Sequence, residues 1–172
     1  MNKKKIVFLA SGNGGNFHFI HEVIKKNYLQ GFQIIELIVD RKCGAQEIAK
    51  LLKIKCSIID FKELNQKSLL DRLISISPDL IITNVHRILK EPIIQAFDKK
   101  LINLHYSLLP SYGGFIGMRP VKEALKFNEK YIGVTTHFAE KEVDQGKQIA
   151  QICFFNNYNE ELSSKLENII FR

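Results

Sequence analysis

The sequence predicts an α/β protein with a doubly wound, mostly parallel sheet, and three observations carry this prediction. Continuous apolar runs alternate along the chain with segments in which apolar residues recur at helical spacing. A glycine-rich turn follows the first apolar run, and polar residues recur where later runs end. Alternation of this kind is typical of sheets that helices cover on both faces.

The elements are predicted in chain order. The strands are "KIVFLA", "FQIIELIVD", "KCSIID", "PDLIITN", "KLINLH", "IGVTTHF" and "KQIAQICFF". Apolar residues at helical spacing mark the helices, namely Phe17, Ile20, Ile24 and Tyr28 before the stop at Gly31, then Ala45, Ile48, Ala49 and Leu52, then Leu69, Leu70 and Leu73, and then Ile93, Ile94 and Phe97 behind Pro92. Behind Pro120, Val121, Ala124 and Leu125 form the inner face of a further helix. A last helix is predicted from Glu160 to Phe171. Such sheets bind ligands beyond the carboxyl ends of their strands, so the polar residues of interest lie there.

The composition argues against several classes of protein. The 172 residues are 45% hydrophobic and 25% charged, the balance of a single soluble globule, and no apolar run approaches the roughly 20 residues of a membrane helix. The net charge of +7 comes from scattered lysines without an aromatic-basic strip, which favours a small anionic ligand over nucleic acid. Cys43, Cys56 and Cys153 show no metal-binding spacing and are predicted to be reduced core thiols of a cytoplasmic protein.

The turn "ASGNGGNFHFI" predicts an anion-binding loop. Its glycines allow positive φ and close approach of a ligand to the backbone, and the helix that starts near Asn16 presents free N–H groups. The dinucleotide fingerprint G-x-G-x-x-G fails because Phe17 occupies the place of the third glycine, although Asp40 ends the second strand where a ribose-binding acid would sit. A tight turn without a ligand is the alternative.

The stretch "LINLHYSLLPSYGG" predicts a catalytic site. Asn103 and His105 are two apart on a strand, so they point to the same side at its carboxyl end. Asp144 lies in a turn between two later strands and reaches them if the sheet order joins these edges. A carboxylate beside an imidazole favours its cation, and an amide can donate to a developing oxyanion. The trio offers no Ser or Cys nucleophile, so we expect direct attack by a substrate amine or by water.

Three further histidines are predicted to lie outside the reaction. His18 and His21 are expected on the surface of the first helix. His137 is expected to be a structural or supporting residue of its strand.

Three motifs resemble a known family. "SGNGGN", "NLHYSLLP" and "HFAEKEVDQG" are similar to motifs of the folate-dependent formyltransferases, closest to phosphoribosylglycinamide (GAR) formyltransferase, and the resemblance runs from Lys5 to about Phe154. N-x-H-x-S-L-L-P together with a downstream H-F-x(5)-D-x-G is specific, although neither alone would be. The resemblance implies a Rossmann-like formyltransferase fold in a single catalytic domain, residues 1–172, with a short C-terminus.

The resemblance also implies roles for individual residues. It gives 10-formyltetrahydrofolate as formyl donor without a metal ion, and Asn103, His105 and Asp144 as catalytic residues. The acceptor's phosphate would rest on the backbone of Gly14, Gly15 and Asn16. The pterin pocket would be lined by His86, Ile88 and Leu89 and by the backbone of Glu140, Lys141, Glu142 and Val143. The implied partners are the folate and a phosphorylated amine, with GAR of purine biosynthesis as best assignment, and a homodimer is an open option.

Departures from the family pattern leave alternatives open. Ile116 and Met118 stand where the GAR enzymes usually show histidines, so the acceptor could be an amino sugar nucleotide. "FIGMRPVKEA" followed by "KYIGVTTHF" is similar to formyltetrahydrofolate deformylase, in which water replaces the amine. A non-catalytic ligand-binding protein is the fourth alternative, and the three retained catalytic groups argue against it.

Overall fold

The computed structural model describes residues 2–156, in which strands and helices alternate as predicted. The strands are β1 (Lys4–Ala10), β2 (Phe32–Val39), β3 (Lys55–Ile58), β4 (Leu80–Asn84), β5 (Leu101–His105), β6 (Tyr131–Phe138) and β7 (Gln148–Phe155). The helices are α1 (Gly15–Lys25), α2 (Gly44–Leu51), α3 (Lys67–Ile76), α4 (Glu91–Ala96) and α5 (Arg119–Lys126). The predicted final helix, Glu160 to Phe171, lies outside the described residues. The α/β class is confirmed.

The chain forms two compact units, Met1–Ile102 and Asn103–Arg172, and the boundary falls inside β5. The assignment of residues 1–172 to one catalytic domain stays a prediction.

The first unit holds a parallel sheet in the order β3-β2-β1-β4. Parallel neighbours cannot be joined by a hairpin, and α1, α2 and α3 supply the crossovers. β1 lies between β2 and β4, and its last residue, Ala10, pairs with Val39 on one side and Asn84 on the other. The loops that follow β1, β2 and β4 therefore lie side by side at one edge.

The core of this unit lies between the sheet and the helices α1 and α2. Residues 6–10 of β1 are buried, and Phe17 of α1 is fully buried against Phe8, with an edge-to-face ring distance of 5.6 Å. Ala45 and Ala49, the buried residues of α2, are small and belong to the same core. Burial of one such phenylalanine contributes about 2–3 kcal/mol to folding.

An ion pair with a buried carboxylate fixes α3 to this sheet. Glu36 of β2 is fully buried and accepts hydrogen bonds from the guanidinium of Arg72 on α3 and from the hydroxyl of Ser57 on β3. Burial raises the pKa of Glu36, but the hydrogen bonds from Arg72 and Ser57 and the charges of Arg72 and Lys55 outweigh burial and lower it. The carboxylate therefore stays ionised inside the fold.

Two predictions, one about a helix end and one about burial, are wrong. The first helix was expected to include Tyr28 and to stop at Gly31, but α1 ends at Lys25 and Tyr28 is 81% exposed. Cys153 was expected in the core, but it is exposed on β7, most of whose residues face solvent. Cys43 and Cys56 are partly buried, and all three cysteines are free thiols as predicted.

The second unit is organised around an antiparallel pair. β6 and β7 pair from Tyr131 opposite Phe155 to His137 opposite Gln148, and the described strand order is β5-β6-β7. A Cβ at Gly133 of β6 would lie 2.2 Å from the carbonyl oxygen of Ile152, so the close pairing requires glycine there. The carboxyl ends of β5 and β6, together with the segments that follow them, carry the candidate site.

Candidate active site

Four polar side chains meet where β5 and β6 end. Asn103 and His105 lie on β5, His137 lies at the end of β6, and Asp144 lies in the turn that follows. His105 Nδ1 is 3.3 Å from Asp144 Oδ2, and His137 Nε2 is 3.4 Å from Asp144 Oδ1. Asn103 Nδ2 is 3.1 Å from His137 Nε2. The structure thus brings the three residues proposed as catalytic into one cluster and adds His137 to it.

Asp144 is the anion at the centre of this cluster. Only 8% of its side chain is exposed, and its Oδ2 also accepts a hydrogen bond of 2.8 Å from the Gly114 N–H. Burial raises the pKa of Asp144, but the hydrogen bonds from His137 and Gly114 and the charges of His105 and His137 outweigh burial and lower it. Asp144 is therefore a carboxylate at neutral pH.

Unusual backbone conformations aim the groups of the cluster. Asp144 has φ +56 and Tyr112 has φ +56, a region that costs a residue with a Cβ about 1–2 kcal/mol. Gly114, which donates to Asp144, has φ +81. A Cβ at Gly146 would lie 1.8 Å from the carbonyl oxygen of Phe138, so the glycine of the D-x-G motif lets the turn close.

His105 is held between two acceptors. Its Nε2 lies 3.0 Å from the carbonyl oxygen of Tyr112, which can only accept, so Nε2 carries a hydrogen. Its Nδ1 faces the Asp144 carboxylate, so a doubly protonated, cationic ring satisfies both contacts. The side chain is only 6% exposed. His105 is thus a potential proton donor in a place largely closed to water.

His137 connects the amide to the carboxylate. Its Nδ1 donates to the Phe138 carbonyl at 2.8 Å, which leaves Nε2 between the Asn103 amide and Asp144. A neutral ring accepts from the Asn103 N–H, whereas a cationic ring donates to Asp144. Burial lowers the pKa of His137, but the hydrogen bonds to Asp144 and Phe138 and the charges of Asp144 and Glu140 outweigh burial and raise it.

Sequence reasoning gave His137 only a supporting place and missed these contacts. The signal was present in the H-F-x(5)-D-x-G motif, because the histidine and the aspartate of that motif bound the same turn. The carbonyl of Tyr112 and the amide of Gly114 could not be found from residue type, since every residue offers such groups.

The loop after β5 is fastened to β6 by Thr135. This hydroxyl donates to the Ser107 carbonyl at 2.7 Å and accepts from the Leu109 N–H at 3.0 Å. Thr135 is fully buried. Farther along the loop, the Tyr112 hydroxyl donates to Glu129 at 2.6 Å, and burial together with Glu129 raises the pKa of Tyr112 to about 12. The backbone groups that contact His105 and Asp144 are thereby held in place.

The glycine loop of the first unit owes part of its composition to packing. Gly14 has φ +78, and a Cβ there would lie 2.8 Å from the Cα of Ala45 at the start of α2. The carbonyl of Gly12 accepts the Ala45 N–H at 3.1 Å. α1 begins at Gly15, and the first N–H groups of a helix have no acceptor within it. A phosphate on Gly14, Gly15 and Asn16 stays a prediction.

The segment expected to contact the pterin begins beside this loop. His86 donates its backbone N–H to Ser11 Oγ at 3.1 Å, and Gln66 donates to the carbonyl of Ile88 at 3.1 Å. Ile88 is 59% exposed and available to a ligand, whereas Leu89, at 7% exposed, is part of the core. Their ligand contacts stay predictions.

The other expected folate contacts lie in the turn before Asp144. Glu140, Lys141 and Glu142 are exposed, and Val143 is 40% exposed. Glu140 accepts the Lys147 N–H at 3.2 Å, which closes the turn on itself. Their contribution to folate binding stays a prediction.

Comparison with known proteins identifies the family. A family model described as formyl transferase matches residues 4–166. The chain belongs to this family. It is 28% identical to a chloroplastic phosphoribosylglycinamide formyltransferase of Vigna unguiculata, covering 98% of this chain and 57% of the relative. It is also 28% identical to a formyltetrahydrofolate deformylase of Haemophilus influenzae, covering 92% of this chain and 58% of the relative. The chain therefore spans less than two thirds of the length of these relatives.

A solved structure confirms the fold. Glycinamide ribonucleotide transformylase 1 from Symbiobacterium toebii superposes with a TM-score of 0.86 at 24% identity, covering 98% of this chain and 81% of that chain. The predicted Rossmann-like formyltransferase fold is therefore correct. Within residues 2–156, no helix has the length and apolar character needed to cross a membrane. The same residues show no group of three or more His, Cys, Asp or Glu side chains placed to hold a metal ion.

Proposed function

We propose that this chain transfers a formyl group from 10-formyltetrahydrofolate to a primary amine, with GAR of purine biosynthesis as the best acceptor. The cluster of Asn103, His105 and Asp144 carries the proposal, because His105 contacts the buried Asp144 carboxylate directly and the Asn103 amide is linked to that carboxylate through His137. Membership of the formyl transferase family supports it independently. The proposal needs no metal ion. It assumes a cytoplasmic protein, and a homodimer is an option for sedimentation analysis to test.

In the proposed reaction the amine nitrogen attacks the formyl carbon. The formyl oxygen gains negative charge as the new C–N bond forms, and Asn103 and protonated His105 donate to it. The Nε2 hydrogen of His105 is directed at the Tyr112 carbonyl when no substrate is bound. An oxyanion is a stronger acceptor than a neutral carbonyl, so the developing charge draws this hydrogen to itself.

The second half of the reaction moves a proton. The attacking amine loses a proton and the folate nitrogen gains one as its bond to the formyl carbon breaks. Asp144 orients the His105 ring through Nδ1, and assists this transfer directly or through a water. A neutral His137 ring, whose Nε2 can accept the Asn103 N–H, would orient Asn103.

We propose the ligand contacts that the family resemblance implies. The acceptor's phosphate would bind the backbone of Gly14, Gly15 and Asn16. The pterin would contact His86, Ile88 and Leu89 and the backbone of residues 140–143.

Hydrolysis of the formyl group is the second candidate function. It is supported by the deformylase of Haemophilus influenzae, which is as similar to this chain as the plant GAR formyltransferase is. The same side chains would then activate water in place of the amine.

One assay separates the candidates. The protein is incubated with 10-formyltetrahydrofolate, and the folate product is followed without acceptor, with GAR, and with an amino sugar nucleotide. Product only with GAR supports the main proposal, product only with the sugar nucleotide moves the assignment to that acceptor, and product without any amine supports the hydrolase.

Two histidine variants control this assay. His105→Ala should abolish turnover, and His18→Ala, which changes an exposed histidine of α1, should not. If the protein binds the folate but forms no product with any acceptor or without one, the result supports a non-catalytic ligand-binding protein. Turnover that survives His105→Ala would refute the site.

A further inference from the structure

A charged side-chain bridge crosses the end of β1 in the first unit. Arg41 follows β2 and His86 follows β4, and Arg41 Nη2 lies 3.2 Å from His86 Nδ1. β1 runs between these strands, and neighbouring strands are about 4.8 Å apart, so the contact spans roughly 10 Å. Ser11, the first residue after β1, takes part, because its hydroxyl accepts the His86 N–H.

The described contacts of the Arg41 guanidinium involve Nε and Nη2. Its Nε lies 3.4 Å from Asp40 Oδ1, and that oxygen is buried and has no hydrogen-bond partner within the described residues. A guanidinium offers five N–H groups, and of these only one at Nη2 is directed at His86, because the contact of Nε with Asp40 is an ion pair and not a hydrogen bond. The Arg41 side chain is 50% exposed. Its remaining N–H groups are therefore within reach of a ligand.

His86 acts here as an acceptor. A guanidinium only donates, so His86 Nδ1 accepts from Arg41 and the ring carries its hydrogen on Nε2. This contact fixes the direction of the Arg41 guanidinium. Any side chain that places an acceptor at this point can do the same.

The glycine loop lies against the start of α2. α2 begins at Gly44, shortly after Arg41, and its Ala45 contacts both Gly12 and Gly14. The fork of a guanidinium matches two phosphate oxygens at once, and backbone N–H groups at the start of a helix bind the same group from another direction. The loop and the arginine together suit a terminal phosphate that carries two negative charges.

We propose that Arg41, positioned by Asp40 and His86, binds the phosphate of the acceptor together with the glycine loop. This inference rests on the proposed function for the acceptor's identity, and it specifies the acceptor class as a phosphate monoester. An amino sugar nucleotide carries its phosphates as a diphosphate diester and lacks the terminal dianion. Arg41 is thus a specificity residue that sequence motifs did not indicate.

Binding and turnover are measured separately to test this. Ribose 5-phosphate and inorganic phosphate are titrated by calorimetry into the wild-type chain and into Arg41→Ala, Arg41→Lys, His86→Phe and His86→Asn. Loss of one charge-assisted contact should weaken ribose 5-phosphate binding by about 10- to 100-fold in Arg41→Ala. Arg41→Lys should recover part of the affinity. His86→Phe should lose less affinity for ribose 5-phosphate than Arg41→Ala does. His86→Asn, whose amide oxygen can accept from Arg41, should bind ribose 5-phosphate about as well as the wild-type chain.

Turnover provides the readout that a merely structural role would not move. In Arg41→Ala the KM for GAR should rise by the same factor as the dissociation constant, while kcat stays within about 3-fold. Unchanged affinity in Arg41→Ala, or no binding of ribose 5-phosphate to the wild-type chain, overturns the inference. If Arg41→Ala does not fold by circular dichroism, Arg41→Gln decides by the same comparison. Arg41-dependent phosphate binding without formyl transfer would refute the proposed function and leave the phosphate site standing.

Discussion

The cluster around Asp144 and the glycine loop present two different kinds of candidate site. In the cluster, side chains of particular chemistry touch one another, and Asp144 contacts both His105 and His137. In the loop, the features that suggest a ligand are backbone features, and the glycine requirement at Gly14 is already explained by contact with Ala45. Side-chain chemistry therefore indicates function directly. For the backbone groups of the glycine loop, an experiment must distinguish a requirement of ligand binding from a requirement of packing.

Asp144→Asn should have the largest effect, and it tests the cluster. The amide keeps the size of the side chain but removes the charge that faces both His105 and His137. Loss of this charge should lower kcat for formyl transfer by about 10³-fold, within the range for general acid–base groups. Steady-state kinetics of the folate product give the measurement.

Asp98→Asn is the matched control for this variant. Asp98 has 71% of its side chain exposed and pairs only loosely with Lys99 at 4.0 Å. It should leave kcat unchanged. Equal rates for Asp144→Asn and Asp98→Asn would show that the cluster is structural, and the contrast with the glycine loop would disappear.

Gly14→Ala tests the packing explanation of the loop. The new Cβ would be strained at φ +78 and would lie 2.8 Å from Ala45, so it should lower the free energy of unfolding by about 2–4 kcal/mol. Urea denaturation measures this change. Gly12→Ala is the control, because a Cβ at Gly12 meets nothing within 4 Å, and its effect should be below about 0.5 kcal/mol.

A second substitution sharpens this test. Ala45→Gly removes one of the two Ala45 atoms that the new methyl group would meet at 2.8 Å but leaves the Cα, so it should recover only a small part of the stability lost in Gly14→Ala. Equal stability of Gly14→Ala and Gly12→Ala would remove the packing explanation and leave ligand binding as the reason for the glycine.

The same contrast explains what the sequence could predict. Alternating apolar runs were sufficient for the α/β class, because burial on both faces of a parallel sheet leaves a continuous apolar signal. The two-residue spacing of Asn103 and His105 was sufficient to place them together, since side chains alternate along a strand. Contacts made by backbone groups, such as the Tyr112 carbonyl on His105, carry no residue signature. The Arg41 contact with His86 joins the ends of two strands that are distant in sequence. It could not be predicted without knowing the strand order.

Thr135→Val should have an intermediate effect, because it acts on the cluster through the loop. Valine keeps the shape but leaves the buried Ser107 carbonyl and the Leu109 N–H without their partner. We expect a loss of about 1–3 kcal/mol in unfolding free energy and a fall of about 10-fold in kcat, since Tyr112 and Gly114 would be less well fixed. Thr136→Val, on the neighbouring and less buried position of β6, is the control for both measurements. If the two variants behave alike, the loop does not depend on this hydroxyl.

The smallest effect is the pH dependence of stability that His137 should cause. Its pKa is raised in the folded chain by the hydrogen bonds to Asp144 and Phe138 and by the Asp144 charge, so the cation is the stabilised form. The stabilisation is then fully present below about pH 6.5, the ordinary value, and is lost as the pH rises through the folded pKa. The difference in unfolding free energy between the wild-type chain and His137→Gln should therefore narrow from pH 6 to pH 9. Asp144 does not disturb this window, because its lowered pKa confines its own effect to acid below its ordinary value. His18→Gln, at an exposed position of α1, should show a constant difference. If the difference in unfolding free energy widens with pH, the neutral His137 ring, bound to the Asn103 amide, is the stabilised form. Asp144 would then form its ion pair with His105 only.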